Sequence, residues 1–196
     1  MKNKVAVVPD IIPYGTTILY PTETVYGLGC RFDDKKALQD LYALKGRSTK
    51  VPVALIAETS AWVLQHFEVP SIGQELMANH WPGPLAMLLK PKNCRLFDAV
   101  AHEGFVGIRV SGSAVSRQLA KACGGAVVST SANLSGEPTP LNWRDCPSSL
   151  LGSVGLVVDG GTLESALPST LIRFSDDGQA IEVLRQGSVV VSECPL

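Results

Sequence analysis

Residues 113–136 read SAVSRQLAKACGGAVVSTSANLSG and hold one complete helix-to-strand unit. Residues 113–123 are predicted to form a helix, which the two glycines at 124 and 125 end. Residues 126–130, AVVST, are apolar and β-branched, which predicts a strand. A run of small polar residues follows that strand directly. A helix that leads into a strand with a polar end is typical of an α/β domain whose ligands lie at strand ends.

The same alternation continues on both sides of this unit. Upstream, Asp33 or Asp34 can cap a helix whose apolar residues recur as far as Leu44, and Gly46 stops it. Further helices are predicted over residues 59–66 and 71–79. The predicted strands cover residues 16–20, 53–57, 85–89, 106–110, 126–130, 154–158, 170–174 and 180–184. This pattern predicts an α/β fold with a single twisted mixed sheet and flanking helices.

The composition is that of a globular protein. Its 196 residues are 45% hydrophobic and 18% charged, which suits one domain over residues 1–196 with an ample core. The net charge of -1 provides no overall basic field for nucleic acid. The five cysteines form no CxxC pair, which disfavours disulfide and zinc scaffolds. Because no signal segment or membrane-spanning run occurs, we expect a cytoplasmic protein without membrane contact.

Common nucleotide-binding and hydrolase motifs are absent. No GxxxxGK[ST] occurs, and the run GLG at 27–29 lacks the third glycine of a dinucleotide fingerprint. HExxH and GxSxG are missing as well. The three histidines, His66, His80 and His102, lie in unrelated contexts, and we expect none of them to be catalytic. The chemistry is therefore expected in polar segments beside the predicted strands.

Two such segments follow predicted strands. Residues 20–27, YPTETVYG, place hydroxyls and a carboxylate where α/β sheets bind ligands, although a strand-to-helix connection with capping threonines would also explain them. Residues 128–136, VSTSANLSG, supply four hydroxyls and one amide, which also occur in ordinary Ser/Asn-rich turns. The density of hydroxyls at a strand end favours a ligand site.

A cluster of three cations lies at the end of the helix near Leu44. The helix dipole favours a cation there, which accounts for Lys45. It does not account for Arg47 and Lys50, which follow within a few residues. Together the three could hold a triphosphate, with lysine as a point charge and arginine as a planar fork.

Arg109 lies inside the apolar strand VGIRV at 106–110. A buried arginine needs a partner, which could be an internal carboxylate or a ligand carboxylate bound in bidentate fashion. Residues 168–170, PST, and 185–187, RQG, add polar groups beside other strands. Residue chemistry alone thus predicts a pocket lined by cations and hydroxyls.

Taken together, these segments resemble the YrdC/TsaC family of threonylcarbamoyl-AMP synthases. The resemblance covers roughly residues 10–188, and the chain resembles the short form with a single YrdC-like domain. The segments that carry it occur in the order of the family: YPTETVYGLG at 20–29, Lys45-x-Arg47 with the strand after Pro52, WPGP at 81–84, RV at 109–110, STSANLSG at 129–136, PST at 168–170 and RQG at 185–187.

This resemblance implies a fold, a reaction and partners. The fold is a YrdC-like sheet with an open concave face. The reaction is that of a nucleotidyltransferase, which makes L-threonylcarbamoyladenylate from L-threonine, bicarbonate or CO2, and ATP, and releases pyrophosphate. ATP is a substrate, and Mg2+ bridges its phosphates. A downstream threonylcarbamoyl-transferase complex then modifies tRNA at position 37, so tRNA or double-stranded RNA is a further expected partner.

The resemblance also assigns roles to single residues. Four would bind L-threonine, with the arginine on its carboxylate: Thr22, Arg109, Ser129 and Ser169. Six would bind ATP: Lys45, Arg47, Lys50, Ser131, Asn133 and Arg185. No general base is assigned, and Glu23 is a candidate only for orienting other groups.

One departure and three alternatives accompany this interpretation. Ser48 follows Arg47 where many relatives carry proline, so Lys50 is the least defined member of the site. An RNA-binding module of the same fold, without adenylate synthesis, is disfavoured by the net charge of -1. A carbamoyl-adenylate enzyme of hydrogenase maturation would carry acylphosphatase and zinc-finger domains. A structural protein with a vestigial site would not need the retained cations and hydroxyls.

Overall fold

The computed structural model describes residues 7–46, 48, 51–164 and 167–191. These residues contain ten short strands and six α-helices. The strands are β1 Ile18–Pro21, β2 Tyr26–Gly29, β3 Ala54–Ala57, β4 Phe67–Glu68, β5 Leu85–Pro91, β6 Val106–Val110, β7 Ala126–Ser131, β8 Leu156–Val157, β9 Thr170–Phe174 and β10 Ile181–Arg185. The helices are α1 Lys35–Leu44, α2 Ser60–His66, α3 Ser71–His80, α4 Cys94–Phe97, α5 Ala114–Ala122 and α6 Ser148–Ser153, with a short 3-10 helix at Trp143–Asp145.

All ten strands belong to one mixed sheet. Its order is β10-β9-β5-β6-β3-β7-β2-β1-β8, and β4 pairs with β5 beside this path. Three pairs are parallel, β3 with β6, β5 with β9 and β1 with β8. The others are antiparallel. The two ends of the order, β10 and β8, do not pair with each other, so the sheet is open and the predicted α/β fold is confirmed.

Helix ends follow the signals in the sequence. Asp34, rather than Asp33, caps α1, where its side chain accepts a hydrogen bond of 3.0 Å from the amide of Ala37. Ser113 caps α5 in the same way, and Gly124 follows the end of α5 with a φ of +85°. Such a backbone conformation suits glycine. No helix in the described ranges is long and apolar enough to cross a membrane.

Two apolar cores lie on opposite faces of the sheet. The larger core takes side chains from α1, α2, α3, α4 and α6. The smaller core takes its helical side chains from α5, including Leu119, which packs in one cluster with Ile56 and Val127 of the sheet. Because α5 is only nine residues long, it covers part of its face and leaves the rest of that face free for another use.

The boundary of α5 can be followed along single strands. Side chains alternate across a strand, so residues two apart share a face. On β3, Ile56 packs in the core under α5, whereas Ala54 lines a cavity. On β7, Val127 packs under α5, whereas Ser129 lines the same cavity. The bare part of the sheet face is therefore the floor of a cavity beside α5.

Strand β2 was not predicted, and residues 22–25 form a hairpin loop instead of the strand-to-helix connection considered above. The sequence YGLG at 26–29 contains two glycines, which weaken a strand pattern. The fold requires one of them, because a Cβ atom at Gly29 would collide with the carbonyl oxygen of Val128 on the neighbouring strand. Strand β4 and helices α4 and α6 were also missed, since each is too short to show a period.

We expect Phe97→Ala to lower the free energy of unfolding by about 3–5 kcal/mol, because it removes a large ring from the core. The Phe97 side chain is fully buried, and its ring centroid lies 4.7 Å from that of Phe67 and 5.3 Å from that of Phe32. Its neighbour Leu96 is 37% exposed, so Leu96→Ala should cost less than about 1 kcal/mol. Urea denaturation followed by circular dichroism measures both losses, and equal losses would contradict this packing.

Candidate active site

A cavity of about 590 Å³ opens on the sheet face that α5 leaves bare. This volume is typical of sites for small ligands. Alternate residues of several strands form its floor, and four of them are small: Gly27, Ala54, Ala86 and Gly107. Larger side chains there would fill the space. The polar residues that line the cavity come from distant parts of the sequence: Thr22, Thr24, Arg109, Ser129, Thr130, Ser131, Thr139, Ser169 and Arg185.

Arg109 is held by a carboxylate of the protein itself. Its Nε lies 3.0 Å from Oε1 of Glu23, and its Nη2 lies 3.2 Å from Oε2. The two side chains are only 7% and 17% exposed. Of the two partners that the sequence left open, the structure therefore contains the internal carboxylate. Within the described residues, Nη1 of Arg109 makes no hydrogen bond, so the guanidinium keeps donor capacity on the cavity it lines.

Glu23 is held in its charged form. Burial alone would raise its pKa, but the positive charge of Arg109 and hydrogen bonds from Arg109 and Ser111 hold the pKa below its usual range. The hydroxyl of Ser111 donates to Oε2 of Glu23 and accepts a hydrogen bond of 3.1 Å from the amide of Ser113. The hydroxyl of Ser111 therefore links the carboxylate of Glu23 to the start of α5.

The loop between β1 and β2 is fixed by its own hydroxyls. Oγ1 of Thr22 donates to the carbonyl oxygen of Val25 at 2.7 Å and accepts hydrogen bonds of 3.1 Å from the amides of Thr24 and Val25. The hydroxyl of Ser116 on α5 donates to the carbonyl oxygen of Pro21 at 2.9 Å. Thr22 lines the cavity as predicted, but its hydroxyl proton is already used within the loop.

Arg185 lies beside Ser169, although the resemblance assigns the first to ATP and the second to L-threonine. Nε of Arg185 donates to the carbonyl oxygen of Ser169 at 3.1 Å, and Nη2 donates to its hydroxyl at 3.0 Å. Burial, together with the nearby charge of Arg109, lowers the pKa of Arg185. The structure thus brings two guanidinium groups to one cavity.

Lys45 forms a second polar cluster with residues that follow β7. The lysine is only 3% exposed, and its Nζ donates to the carbonyl oxygen of Ser131 and to Oδ1 of Asn133, the latter at 3.4 Å. The hydroxyl of Ser131 also donates to Oδ1 of Asn133. Ser131 lines the cavity, whereas Lys45 and Asn133 lie behind it.

The structure thus gathers most of the predicted residues in one place. Six of them line the cavity: Thr22, Arg109, Ser129, Ser131, Ser169 and Arg185. Arg47 and Lys50 lie outside the described residues. Across the described ranges, no three His, Cys, Asp or Glu side chains form a group that could hold a metal ion.

Three polar residues of the cavity wall were not predicted as site residues, Thr24, Thr130 and Thr139. Thr24 could have been found, because it lies two residues after Thr22 in a segment that was already singled out. Thr139 lies in the loop after β7, where the sequence carries no comparable signal.

Comparison with known proteins gives these features a family. The family model for Sua5, YciO and YrdC, which is described as "Telomere recombination", matches residues 10–187. The chain belongs to the Sua5/YciO/YrdC family. This membership confirms the resemblance drawn from the ordered sequence segments, and the match covers nearly the span expected from them.

Solved structures with the same fold include members of this family. Sua5 of P. abyssi, crystallised with L-threonine, is 26% identical with a TM-score of 0.77, over 88% of this chain and 51% of that one. E. coli YciO is 28% identical with a TM-score of 0.74, over 88% and 84% of the two chains. The solution structure of MTH1692 from Methanobacterium thermoautotrophicum is 30% identical with a TM-score of 0.69, over 93% and 85%. The chain therefore spans about half the length of P. abyssi Sua5.

The lowered pKa of Glu23 predicts a pH-dependent stability. A carboxyl whose pKa is lower in the folded protein stabilises it above the unfolded pKa of roughly 4.3, and this contribution disappears as the pH falls through the folded value. The stability advantage of the wild type over Glu23→Gln should therefore be largest near neutral pH and should shrink below about pH 4.

Urea denaturation from pH 7 down to about pH 3 measures this difference. Glu75→Gln makes the same chemical change at an exposed position on α3 and serves as the control. A wild-type advantage over Glu23→Gln that stays constant through this range would show that the charge of Glu23 is not what stabilises the fold.

Proposed function

We propose that this protein synthesises L-threonylcarbamoyladenylate from L-threonine, bicarbonate or CO2, and ATP, and releases pyrophosphate. One observation carries the proposal: a single cavity collects two arginines and a ring of hydroxyls, in a family with a relative that was crystallised with L-threonine. The product would pass to a threonylcarbamoyl-transferase complex that modifies tRNA at position 37, and the enzyme would work in the cytoplasm.

The end of the cavity near β6 and β9 suits an amino acid. A carboxylate accepts paired hydrogen bonds from a guanidinium, and Arg109 and Arg185 both line the wall. Hydroxyls of Ser129 and Ser169 can orient polar groups without adding charge. We assign L-threonine to this end, where Thr22 and Thr24 also line the wall.

The end of the cavity at Ser131 suits a nucleotide. Lys45 puts a buried positive charge behind Ser131 and Asn133, and a charge shielded from water acts more strongly than an exposed one. We assign the phosphates of ATP to this end, with Arg47 and Lys50 as further cations by resemblance. Mg2+ would enter on the phosphates, since it prefers phosphate oxygens and water as ligands.

The proposed reaction requires the protein mainly to position the reactants. The amine of L-threonine captures CO2 as a carbamate, and a carbamate oxygen then attacks the α-phosphorus of ATP. The bond from the α-phosphorus to the bridging oxygen breaks, and pyrophosphate leaves with its electron pair. Alignment of two bound reactants and neutralisation of phosphate charge can supply most of the acceleration of such a step. No side chain is assigned as a general base.

The direct test is pyrophosphate release. The purified protein is incubated with ATP, Mg2+ and bicarbonate, with and without L-threonine, and pyrophosphate is followed by an enzyme-coupled assay. We expect release only when L-threonine and bicarbonate are both present. Release that ignores L-threonine, or no release at all, would refute the proposed reaction.

Two pairs of variants test the assignment of the cations. Lys45→Ala and Arg185→Ala should each lower kcat/KM for pyrophosphate release by about a hundredfold or more, because Arg185 lines the cavity and Lys45 supplies a buried positive charge next to Ser131. The matched controls are Lys36→Ala on α1, the helix that Lys45 follows, and Arg173→Ala on the hairpin that carries Arg185. Both control side chains are largely exposed. Activity in the site variants equal to that of their controls would remove these residues from the site.

A further inference from the structure

Glu23 does not line the cavity, yet it controls a residue that does. The two oxygens of its carboxylate take the Nε and Nη2 edge of Arg109. Two parallel hydrogen bonds fix the plane of a guanidinium more strictly than one. The group can then offer only its remaining donors to a ligand, in a direction set by Glu23.

The position of Glu23 is itself determined by its surroundings. Ser111 donates to the same carboxylate from the end of β6. On one side of Glu23, Ser116 of α5 holds the carbonyl group of Pro21. On the other side, the amides of Thr24 and Val25 bind the hydroxyl of Thr22. The carboxylate is therefore anchored to β6 and α5 before any ligand arrives.

Glu23 also determines which of the two arginines has its positive charge offset by a carboxylate. Arg109 and Arg185 are close enough for the charge of one to affect the pKa of the other. Glu23 offsets the charge of Arg109. Arg185, in the described part of the chain, is bonded to the neutral groups of Ser169 and pairs with no carboxylate. The net positive charge of this wall is therefore that of Arg185.

We propose that Glu23 is a positioning residue for the amino-acid substrate. It aims Arg109 at the substrate carboxylate and offsets the charge of Arg109, so that binding at this contact depends on the orientation of the guanidinium rather than on net charge. The inference rests on the proposed function, because that function supplies the amino acid. The inference predicts that a change at Glu23 affects the binding of L-threonine and the binding of pyrophosphate differently. L-Threonine needs a correctly aimed Arg109, whereas pyrophosphate responds mainly to positive charge.

The test compares Glu23→Gln with the wild type by isothermal titration calorimetry, using L-threonine and inorganic pyrophosphate separately. We expect Kd for L-threonine to rise by about tenfold or more, since the neutral amide no longer holds both nitrogens of Arg109. Kd for pyrophosphate should stay the same or fall, because the variant gains positive charge. The exposed Glu75→Gln serves as the control and should bind both ligands as the wild type does.

Two results of this titration would overturn the inference. Unchanged L-threonine binding would show that Arg109 does not depend on Glu23. Equal weakening for both ligands would show a general disturbance of the site. Ser111→Ala keeps the carboxylate but removes one hydrogen bond to it, and it serves if Glu23→Gln does not fold. We expect a smaller loss with L-threonine, about twofold to fivefold, and none with pyrophosphate; unchanged L-threonine binding or equal losses would again overturn the inference.

A second measurement separates this inference from the proposed function. The Nε–H group of Arg109 should give a slowly exchanging NMR signal in the wild type, because it is buried and bonded to Glu23. That signal should broaden or disappear in Glu23→Gln. If the wild type does not bind L-threonine, the proposed function fails. An unchanged Nε–H signal in Glu23→Gln would refute the role of Glu23 by itself.

Discussion

An arginine in the middle of a ten-stranded sheet needs a carboxylate, and the hairpin loop between β1 and β2 supplies it. Arg109 lies on β6, whereas Glu23 lies in the loop between β1 and β2, which are four and three positions from β6 in the sheet order, and this loop folds back over the sheet. The ion pair therefore ties the hairpin to the centre of the sheet. It also places the hydroxyls of Thr22 and Thr24 on the same cavity as Arg109.

The cavity itself follows from how α5 covers the sheet. Along β3 and β7, one residue packs under the helix and the residue two positions earlier or later faces open space. The part of the sheet face that α5 leaves bare carries glycine and alanine on the cavity floor and serines on β7. These residues leave the space open and do not form a large apolar patch. The short helix and the small floor residues together produce an open cavity, which we propose binds the reactants.

Much of the fold could be predicted because several elements keep a clear period and clear ends. Strands β6 and β9 have the predicted bounds, and α5 ends at Ala122, shortly before the two glycines that were predicted to end it. Strand β2 could not be predicted, because Gly29 is required by the close approach of Val128, which lies about a hundred residues away in the sequence.

The sequence predicted many residues of the site, but it predicted fewer of the contacts between them. Spacing and the family resemblance found six residues of the cavity wall, including Ser129 and Arg185. The sequence left the partner of Arg109 open, because pairing between residues 23 and 109 depends on how the hairpin folds over the sheet. It also placed Ser169 and Arg185 in different groups, whereas the antiparallel hairpin of β9 and β10 brings them into hydrogen-bond contact.

The most direct test of the central claim is to locate bound L-threonine by NMR titration of 15N-labelled protein. We predict the largest amide shifts at the cavity wall, at Thr24, Ser129 and Ser169, with saturation at a single Kd. The protein also has a separate cavity, whose lining includes Phe105 and Phe174. Shifts centred on that cavity, or no saturable shifts anywhere, would contradict the account.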